Sequence, residues 1–151
     1  QDTTTTEAPT TEAPTTEAPT TEAPVTEAPT SDLGQQIANF ACQFVGNPYV
    51  WGGTSLTNGA DCSGFVQSVY KNFGYSLPRT CTPQSNAGTA VSLAALAPGD
   101  LVFYDHGTGS CEHVGIYIGN GQIVHASSSR TGIKISNVNY STPFKACRIV
   151  N

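Results

Sequence analysis

Two stretches of the chain repeat apolar residues at the spacing of an α-helix. The first covers 33–44 and is followed by Gly46, and the second covers 62–73 and is followed by Gly74. Apolar residues three and four positions apart line one face of a helix, and a glycine just past the last of them is a common stop signal. The pattern therefore predicts two helices, and Cys62 is expected in the first turn of the second.

After residue 96 the apolar pattern changes from helical spacing to the alternation that is typical of β-strands. Gly119-Asn120-Gly121 predicts a hairpin turn between two of these strands. Helices that come first and antiparallel strands that come second indicate the α+β class, with the helices packed on one side of an antiparallel sheet. Strands are predicted at 101–104, 113–118, 122–126, 133–138 and 146–150.

The first 30 residues differ in composition from the rest of the chain. The pentapeptide TTEAP occupies 5–9, 10–14, 15–19 and 20–24, and VTEAP follows at 25–29. Regular prolines exclude helix and sheet, and the segment contains almost nothing that could form a core. We therefore predict a disordered repeat linker rich in Thr, Glu, Ala and Pro over 1–30, and one folded domain over 31–151.

The formal charge of −5 comes from this N-terminal segment. Six of the eleven acidic residues precede residue 31 and no basic residue does, which leaves five acidic and six basic residues, a net charge of +1, in 31–151. A nearly neutral domain without a basic run does not point to nucleic acid or to a membrane surface as a partner. No apolar run is long enough to insert into a membrane as a spanning helix.

Five cysteines stand at positions 42, 62, 81, 111 and 147. This number in a small domain is typical of an oxidising compartment, where four would pair and one would stay free. We therefore expect a secreted, extracellular protein. If Cys62 is the free cysteine, the other four form two bridges.

Cys62 is a candidate nucleophile because of its predicted place at a helix start. The unpaired N–H groups and the positive end of the helix dipole stabilise a thiolate, which is the reactive form of cysteine. The alternative is a small buried cysteine or one half of a disulfide.

His113 and His125 could supply the base that such a thiol needs. They lie seven and five positions from Asn120 on strands joined by a tight turn, so they should be neighbours across the hairpin. A thiol nucleophile needs one group to accept its proton and another to orient that group. We assign His113 as the base and His125 as its orienting partner, and we expect His106, in a glycine-rich loop, to be exposed.

A zinc site made of Cys62, His113 and His125 is the other chemical option, because three ligands and an open position suit a catalytic zinc ion. The sequence has no short-spaced ligand pair such as CxxC or HxxxH, which weakens this option. We therefore expect no metal and no other cofactor. Inhibition by a thiol alkylator, together with indifference to chelators, would separate the two interpretations.

Six segments carry motifs that occur together, in the same order, in one known family. They are NPYVWGG at 47–53, DCSGF at 61–65, LPRT at 77–80, APGDLVFY at 97–104, HVGIYIGNG at 113–121 and IVHAS at 123–127. In these motifs the chain resembles the NlpC family of papain-like cysteine peptidases, which cut bacterial cell-wall peptides. The resemblance implies a papain-like fold, a catalytic triad of Cys62, His113 and His125, and a place near the oxyanion for Tyr49.

The resemblance also implies a substrate. Such enzymes hydrolyse the bond between γ-D-glutamyl and a diamino acid, meso-diaminopimelate or L-lysine, in peptidoglycan stem peptides. Asp61 and Ser63 are expected to hold the free L-alanine amine of the stem, and Arg79 and Trp51 are expected to bind substrate as well. Asp61 could instead only stabilise the helix N-terminus, and Arg79 could be an exposed residue without a role.

Two other functions remain open on these residues, namely a wall-peptide binding module without turnover and acyl or amide transfer by the same triad. We expect a monomer.

The remaining four cysteines are not part of the family motifs, and we expect them to form two bridges. Cys81 follows the LPRT motif and Cys111 lies two residues before His113, so both should border the cleft and pair with each other. Cys42 on the first helix would then pair with Cys147 on the last strand.

Overall fold

The computed structural model describes residues 32–150, and the predicted linker over 1–30 lies outside them. Within the described part of the chain the helices are α1 (Asp32–Cys42), α2 (Cys62–Lys71) and α3 (Cys81–Ser85). The first two correspond to the predicted helices, although α2 ends earlier than expected, with Asn72 as its C-terminal cap. None of the described helices has the length and apolar character that crossing a membrane requires.

The strands form a short ribbon and a larger sheet. In chain order they are β1 (Thr54–Ser55), β2 (Gly59–Ala60), β3 (Thr89–Val91), β4 (Leu101–Tyr104), β5 (His113–Gly119), β6 (Gln122–Ser128), β7 (Gly132–Asn137) and β8 (Pro143–Arg148). β1 pairs with β2 in the loop between α1 and α2. The other six form one sheet in the order β3-β8-β4-β5-β6-β7, and every neighbouring pair is antiparallel.

Alternation along the strands places apolar side chains on both faces of the sheet. One face packs against the helices and forms the main core, in which Phe65 and Val66 of α2 join Val114 of β5. The other face carries a second cluster that includes Tyr104 and Tyr117. Burial of a large apolar side chain stabilises a fold by about 1.5–3 kcal/mol. The helices are therefore held mainly by the apolar side chains that they pack against the sheet. The predicted α+β class is confirmed.

Three short strands were not predicted from the sequence. β1, β2 and β3 contain two or three residues each, mostly Thr, Ser, Gly and Ala, so they are too short to show an alternating pattern. The last strand is also shifted, since it covers Pro143–Arg148 where 146–150 was expected. Its bounds follow from pairing with β3 and β4 on either side, and pairing partners are not visible in the local sequence.

The structure contains a disulfide between Cys81 and Cys111, as expected. The second expected bridge is wrong, because Cys42 and Cys147 are both free thiols. Cys42 ends α1, which packs over β5 and β6, whereas Cys147 lies in β8, which packs against α3. The Cys147 sulfur is buried and lies 3.5 Å from the carbonyl oxygen of Gln84 in α3. The two thiols therefore lie at different parts of the sheet, which keeps them from pairing.

Candidate active site

Helix α2 begins at Cys62 because Asp61 caps it. Asp61 has extended backbone angles, and its Oδ1 accepts a hydrogen bond of 2.8 Å from the N–H of Gly64. This is the usual geometry of an acidic N-cap, which satisfies a donor that the helix itself cannot pair. Asp61 therefore stabilises the helix start, which was one of its two expected roles, and it holds Cys62 at the first helical position.

The loop before α2 packs tightly against the helix start. The Asp61 N–H donates to the Gly53 carbonyl oxygen at 3.1 Å, and Tyr49 forms a bridge with Ala60. A Cβ atom at Gly64 would lie 2.1 Å from that same Gly53 oxygen, so this contact requires glycine. The packing places Tyr49 beside Cys62. Burial, followed by the proximity of Cys62 and Asp61, raises the pKa of Tyr49.

The Cys62 sulfur is not a ready thiolate. Burial raises its pKa above the ordinary value and the nearby Asp61 carboxylate adds to this, while the N–H groups of Val114, Ser63 and Cys62 itself act in the opposite direction. The expected support from the helix N-terminus is present, but burial outweighs it. At neutral pH the resting side chain is therefore a thiol, and it needs a base.

The two histidines lie together on the hairpin of β5 and β6. The Nε2 atom of His113 lies 2.6 Å from the Nδ1 atom of His125, and both side chains are buried. Ile116 pairs with Val124, so continuation of that register places Gly115 opposite His125 and makes His113 its diagonal neighbour. We call His113 and His125 the imidazole pair.

Gly115 makes room for the imidazole pair. A Cβ atom there would lie 3.3 Å from Cβ of His125 and 2.7 Å from Cδ1 of Ile123. An added side chain would require the end of Ile123 to move and would press against Cβ of His125, so glycine leaves the imidazole its present position. The sequence contains this glycine, but its purpose is apparent only from the register.

Both imidazoles are neutral at physiological pH. Burial, followed by the proximity of His125 and His106, lowers the pKa of His113 to about 3. Burial, followed by the proximity of Lys134 and His106, lowers the pKa of His125 to about 4. A neutral imidazole has one N–H and one free lone pair, so each ring can donate at one nitrogen and accept at the other.

Cys62 adjoins the strand that carries His113. Its sulfur faces the backbone N–H of Val114, the residue that follows His113. Among the described residues, no hydrogen bond joins this sulfur to either imidazole, and the Nε2 atom of His113 is taken up by His125. Catalytic hydrogen bonds are often long in an enzyme without substrate and shorten when substrate binds, and a thiol on a first-turn residue can change rotamer.

A second group of polar side chains adjoins Cys62 on the other side, and we call Asp61, Ser63 and Arg79 the ionic cluster. Arg79 donates from Nη2 to Oδ2 of Asp61 and from Nη1 to Oγ of Ser63, both at 3.0 Å. Burial opposes ionisation of Asp61, but Arg79 and the N–H groups of Gly64 and Gly52 outweigh it and hold the Asp61 pKa below its usual value. The cluster is charged and paired before any substrate arrives.

A cleft of about 620 Å³ opens over Cys62 and the ionic cluster. Trp51 stands at its edge with 85% of its surface exposed, and Tyr49 lies beside it. The disulfide partners Cys81 and Cys111 also line the cleft. The bridge thus joins the segment that follows Arg79 to the segment that precedes His113. The predicted site residues that line this cleft are Tyr49, Trp51, Asp61, Cys62, Ser63, Arg79, Cys81 and Cys111. His113 and His125 are not among its lining residues, and Cys42 and Cys147 lie elsewhere.

Two residues near the imidazole pair were not predicted. Ser136 Oγ lies 2.8 Å from Nε2 of His125. The ring of Tyr140 lies 5.2 Å from that of His125, and its hydroxyl lies 3.3 Å from Nε2 of His106. His106 is exposed, as expected, and its ring stacks on that of His113 at 5.8 Å. No local pattern marks Ser136 or Tyr140, because strand pairing and a loop after β7 bring them to the site.

The zinc option does not agree with this geometry. The nitrogen atoms that face each other in the imidazole pair are within direct hydrogen-bond distance, so they cannot both bind one metal ion. Across residues 32–150, no group of three or more His, Cys, Asp or Glu side chains is arranged to hold a metal.

The comparisons with known proteins identify the family. Residues 46–150 match the family described as NlpC/P60, so the chain belongs to the NlpC/P60 family, and the resemblance drawn from the motifs is confirmed. A gamma-D-glutamyl-L-lysine dipeptidyl-peptidase of Bacillus cereus is 42% identical over 105 residues, which make up 68% of this chain and 31% of that relative. The chain therefore spans about a third of that relative's length.

Solved structures show the same fold. A NlpC/P60 family protein from Bacillus cereus superposes with a TM-score of 0.73 at 37% identity, covering 82% of this chain and 42% of that protein. The NlpC/P60 domain of the peptidoglycan hydrolase SagA gives a TM-score of 0.69 at 36% identity, covering 76% of this chain and 97% of that domain. The predicted papain-like NlpC fold is confirmed.

Proposed function

We propose that this domain is a cysteine peptidase that hydrolyses the bond between γ-D-glutamyl and a diamino acid in peptidoglycan stem peptides. The observation that carries the proposal is the hydrogen-bonded imidazole pair beside a helix that begins with Cys62. This is the set of groups that thiol acyl transfer needs: a nucleophile, a base and a group that orients the base.

In the proposed reaction the Cys62 sulfur attacks the scissile carbonyl carbon while its proton moves to Nδ1 of His113. The negative charge that develops on the carbonyl oxygen is stabilised by the backbone N–H of Cys62 or Ser63 and by the Tyr49 hydroxyl. His113, now an imidazolium, donates its proton to the leaving amine, and a thioester remains on Cys62. His113 then activates water, which hydrolyses the thioester.

Three features support the base role of His113. The ring is neutral, His125 holds it through Nε2, and Nδ1 is the nitrogen that this contact leaves available to accept a proton. The low pKa of His113 makes it a weak base in the resting site, so transfer of the proton must be coupled to attack on the carbonyl. A thiol with a raised pKa and a neutral imidazole fit such a coupled step better than a preformed ion pair.

The ionic cluster is the proposed site for the free amine of the stem peptide. Asp61 is ionised, lies at the cleft, and shares Arg79 with Ser63, so the three groups form a fixed polar surface next to the nucleophile. An ammonium group would be attracted to Asp61, and Arg79 would attract a carboxylate of the same peptide. Trp51, exposed at the cleft edge, offers an apolar surface to the remainder of the chain.

The test is product analysis on defined peptides. L-Ala-γ-D-Glu-L-Lys and its meso-diaminopimelate counterpart are incubated with the protein, and the products are identified by mass spectrometry. Release of L-Ala-γ-D-Glu, abolished in Cys62→Ala, is the expected result. Binding without cleavage, transfer of the dipeptide to an amine in place of water, or equal activity of Cys62→Ala would overturn the proposal.

The proposal includes the setting of the enzyme. Its partners are bacterial stem peptides, and it acts as a secreted monomer. Light scattering of the purified full chain and size-exclusion chromatography with and without the peptides test the oligomeric state.

A further inference from the structure

The hydrogen bonds of the imidazole pair continue beyond His125. The His125 ring contacts His113 through Nδ1 at 2.6 Å and Ser136 Oγ through Nε2 at 2.8 Å. Both nitrogens of His125 therefore take part in a hydrogen bond. Because a neutral imidazole donates at one nitrogen and accepts at the other, the role of Ser136 at Nε2 decides whether Nδ1 donates to His113 or accepts from it. Nothing in the reaction described above assigns a role to Ser136.

Strand pairing holds Ser136 in this position. Lys134 of β7 pairs with His125 of β6, and Ser136 lies two residues further along β7, so it points from the same face of the sheet. Diagonal neighbours on one face are within reach of a long or planar side chain, and the imidazole spans this distance. The contact is thus built into the sheet and does not depend on a mobile loop.

We call His113, His125 and Ser136, joined by these two hydrogen bonds, the row. When its groups are neutral, the row has two possible proton arrangements. In the first, Nε2–H of His125 donates to the Ser136 oxygen, Nε2–H of His113 donates to Nδ1 of His125, and Nδ1 of His113 has a free lone pair. In the second, the Ser136 hydroxyl donates to Nε2 of His125, Nδ1–H of His125 donates to Nε2 of His113, and Nδ1 of His113 carries the proton. Only the first arrangement leaves His113 able to accept a proton at Nδ1.

The surroundings of the thiol favour the first arrangement. The Cys62 sulfur already faces the N–H groups of Val114, Ser63 and its own residue, so what the site has to supply is an acceptor for the thiol proton and not another donor. In the proposed reaction a lone pair on Nδ1 of His113 accepts the thiol proton, whereas an N–H at that atom could not. Ser136 is only partly buried, so its hydroxyl proton can point to solvent while its oxygen accepts from His125.

We propose that Ser136 is a positioning residue that accepts the Nε2 proton of His125 and thereby fixes the tautomer in which His113 can act as a base. This proposal rests on the proposed roles of Cys62 and His113. Ser136 is thus a fourth residue beside the proposed triad of Cys62, His113 and His125, one that acts through His125 and touches neither substrate nor thiol.

The tautomers can be read directly by long-range ¹⁵N–¹H NMR of the full chain at neutral pH. A ring nitrogen with a proton and one with a lone pair resonate far apart, so each imidazole reports its own arrangement. We expect His113 and His125 both to be protonated at Nε2. Protonation of His125 at Nδ1 would overturn the proposal, and this readout does not depend on activity.

A matched pair of variants tests the kinetic consequence. Ser136→Thr and Ser136→Val introduce side chains of almost equal size and strand preference, but only threonine keeps the hydroxyl. For Ser136→Val we expect kcat to fall roughly tenfold with KM unchanged, since one neutral hydrogen bond that sets the base is lost. Ser136→Thr is expected to stay close to the unchanged protein.

A wild-type kcat in Ser136→Val, or an equal loss in both variants, would contradict the proposal. If the unchanged protein does not cleave the defined peptides, the proposed function fails, and the NMR measurement still decides the tautomer. If Ser136→Val does not fold, the same measurement on Ser136→Thr and the unchanged protein decides in its place.

Discussion

The ionic cluster and the imidazole pair both adjoin Cys62, but they treat charge in opposite ways. The ionic cluster lowers the pKa of Asp61 and holds its carboxylate in contact with Arg79 at 3.0 Å. The imidazole pair is buried and neutral, and its members are joined by a hydrogen bond without a net charge. A permanent charge pair suits recognition, because it does not change during the reaction. Groups that are neutral at rest suit proton transfer, because they can gain a charge and lose it again.

The difference follows from what surrounds each group. Asp61 is buried, yet a guanidinium and two backbone N–H groups compensate for the lost water and keep it charged. His113 and His125 are buried beside each other, with Lys134 and His106 nearby, and within residues 32–150 no carboxylate is among the groups that shift their pKa. Buried Asp61 therefore stays charged because an opposite charge lies within reach, whereas the buried imidazoles, which have none, stay neutral.

The largest expected effect comes from removal of the base. In His113→Gln a side chain of similar size replaces the imidazole but cannot take up the thiol proton, so we expect kcat to fall roughly 10⁴-fold with little change in KM. Steady-state kinetics on the defined stem peptide measures this. His106→Gln is the matched control, because it removes the exposed ring that stacks on His113 and leaves the row intact. Equal losses in both variants would show that His113 acts only through packing.

The disulfide links the two regions, and its loss should lower stability. Cys81 and Cys111 are 30 residues apart in sequence, and closing a loop of this length is worth about 3–4 kcal/mol in the chain-entropy estimate. We expect the double variant Cys81→Ser/Cys111→Ser to lose that much unfolding free energy in urea titrations. Cys42→Ser, at a half-buried free thiol, is the control and should change stability by at most about 1 kcal/mol. A loss of less than about 1 kcal/mol in the double variant would mean that the bridge does not constrain the unfolded chain.

Arg79 tests whether the ionic cluster serves recognition rather than chemistry. In Arg79→Gln, the charged hydrogen bonds to Asp61 and Ser63 are lost, and we expect KM to rise roughly 10- to 100-fold while kcat changes little. Arg130→Gln, in the exposed turn between β6 and β7, removes the same charge far from these contacts and serves as the control. A fall in kcat with an unchanged KM would assign Arg79 to the chemical step instead.

Local signals were sufficient to predict the parts of the site that one element defines. The helix start at Cys62 followed from apolar spacing, and the meeting of His113 and His125 followed from a tight turn. Asn120 in that turn adopts a left-handed conformation with φ of 55°, which is the backbone that such turns require. The distance from a turn sets which residues face each other, so a hairpin is readable from sequence.

The features that sequence reasoning missed depend on how separate elements pack. Ser136 reaches His125 only through the register of β6 with β7, and the free state of Cys147 depends on which helix covers β8. The ionisation of Cys62 was also misjudged, since the helix N-terminus favours a thiolate but the packing around the sulfur does not. Burial is a property of the assembled fold, and it outweighed the local effect here.

The smallest expected effect separates the two regions along the pH axis. The imidazoles have an ordinary pKa of 6.5, lowered in the folded protein to about 3 for His113 and about 4 for His125. Below pH 6.5 the unfolded chain binds more protons than the folded one, so their contribution to stability is complete above pH 6.5 and is lost as the pH falls towards 4 and then 3. The Asp61 pKa is lowered from 3.8, so its contribution is lost only below that pH. Between pH 6.5 and 5 the change in stability therefore reports the imidazoles.

In this window each imidazole should lower the unfolding free energy by up to about 1.4 kcal/mol per pH unit as the pH falls. Urea titrations at several pH values between 5 and 6.5 measure the slope. His113→Gln should reduce the slope of unfolding free energy against pH by the contribution of one titrating group, up to about 1.4 kcal/mol per pH unit. Arg79→Gln should leave the slope unchanged because the carboxylates stay ionised in this pH range. A slope that drops in Arg79→Gln would mean that the charge states of the two regions are coupled rather than set by their own surroundings. A slope that persists in full in His113→Gln would mean that the fold does not lower the pKa of His113.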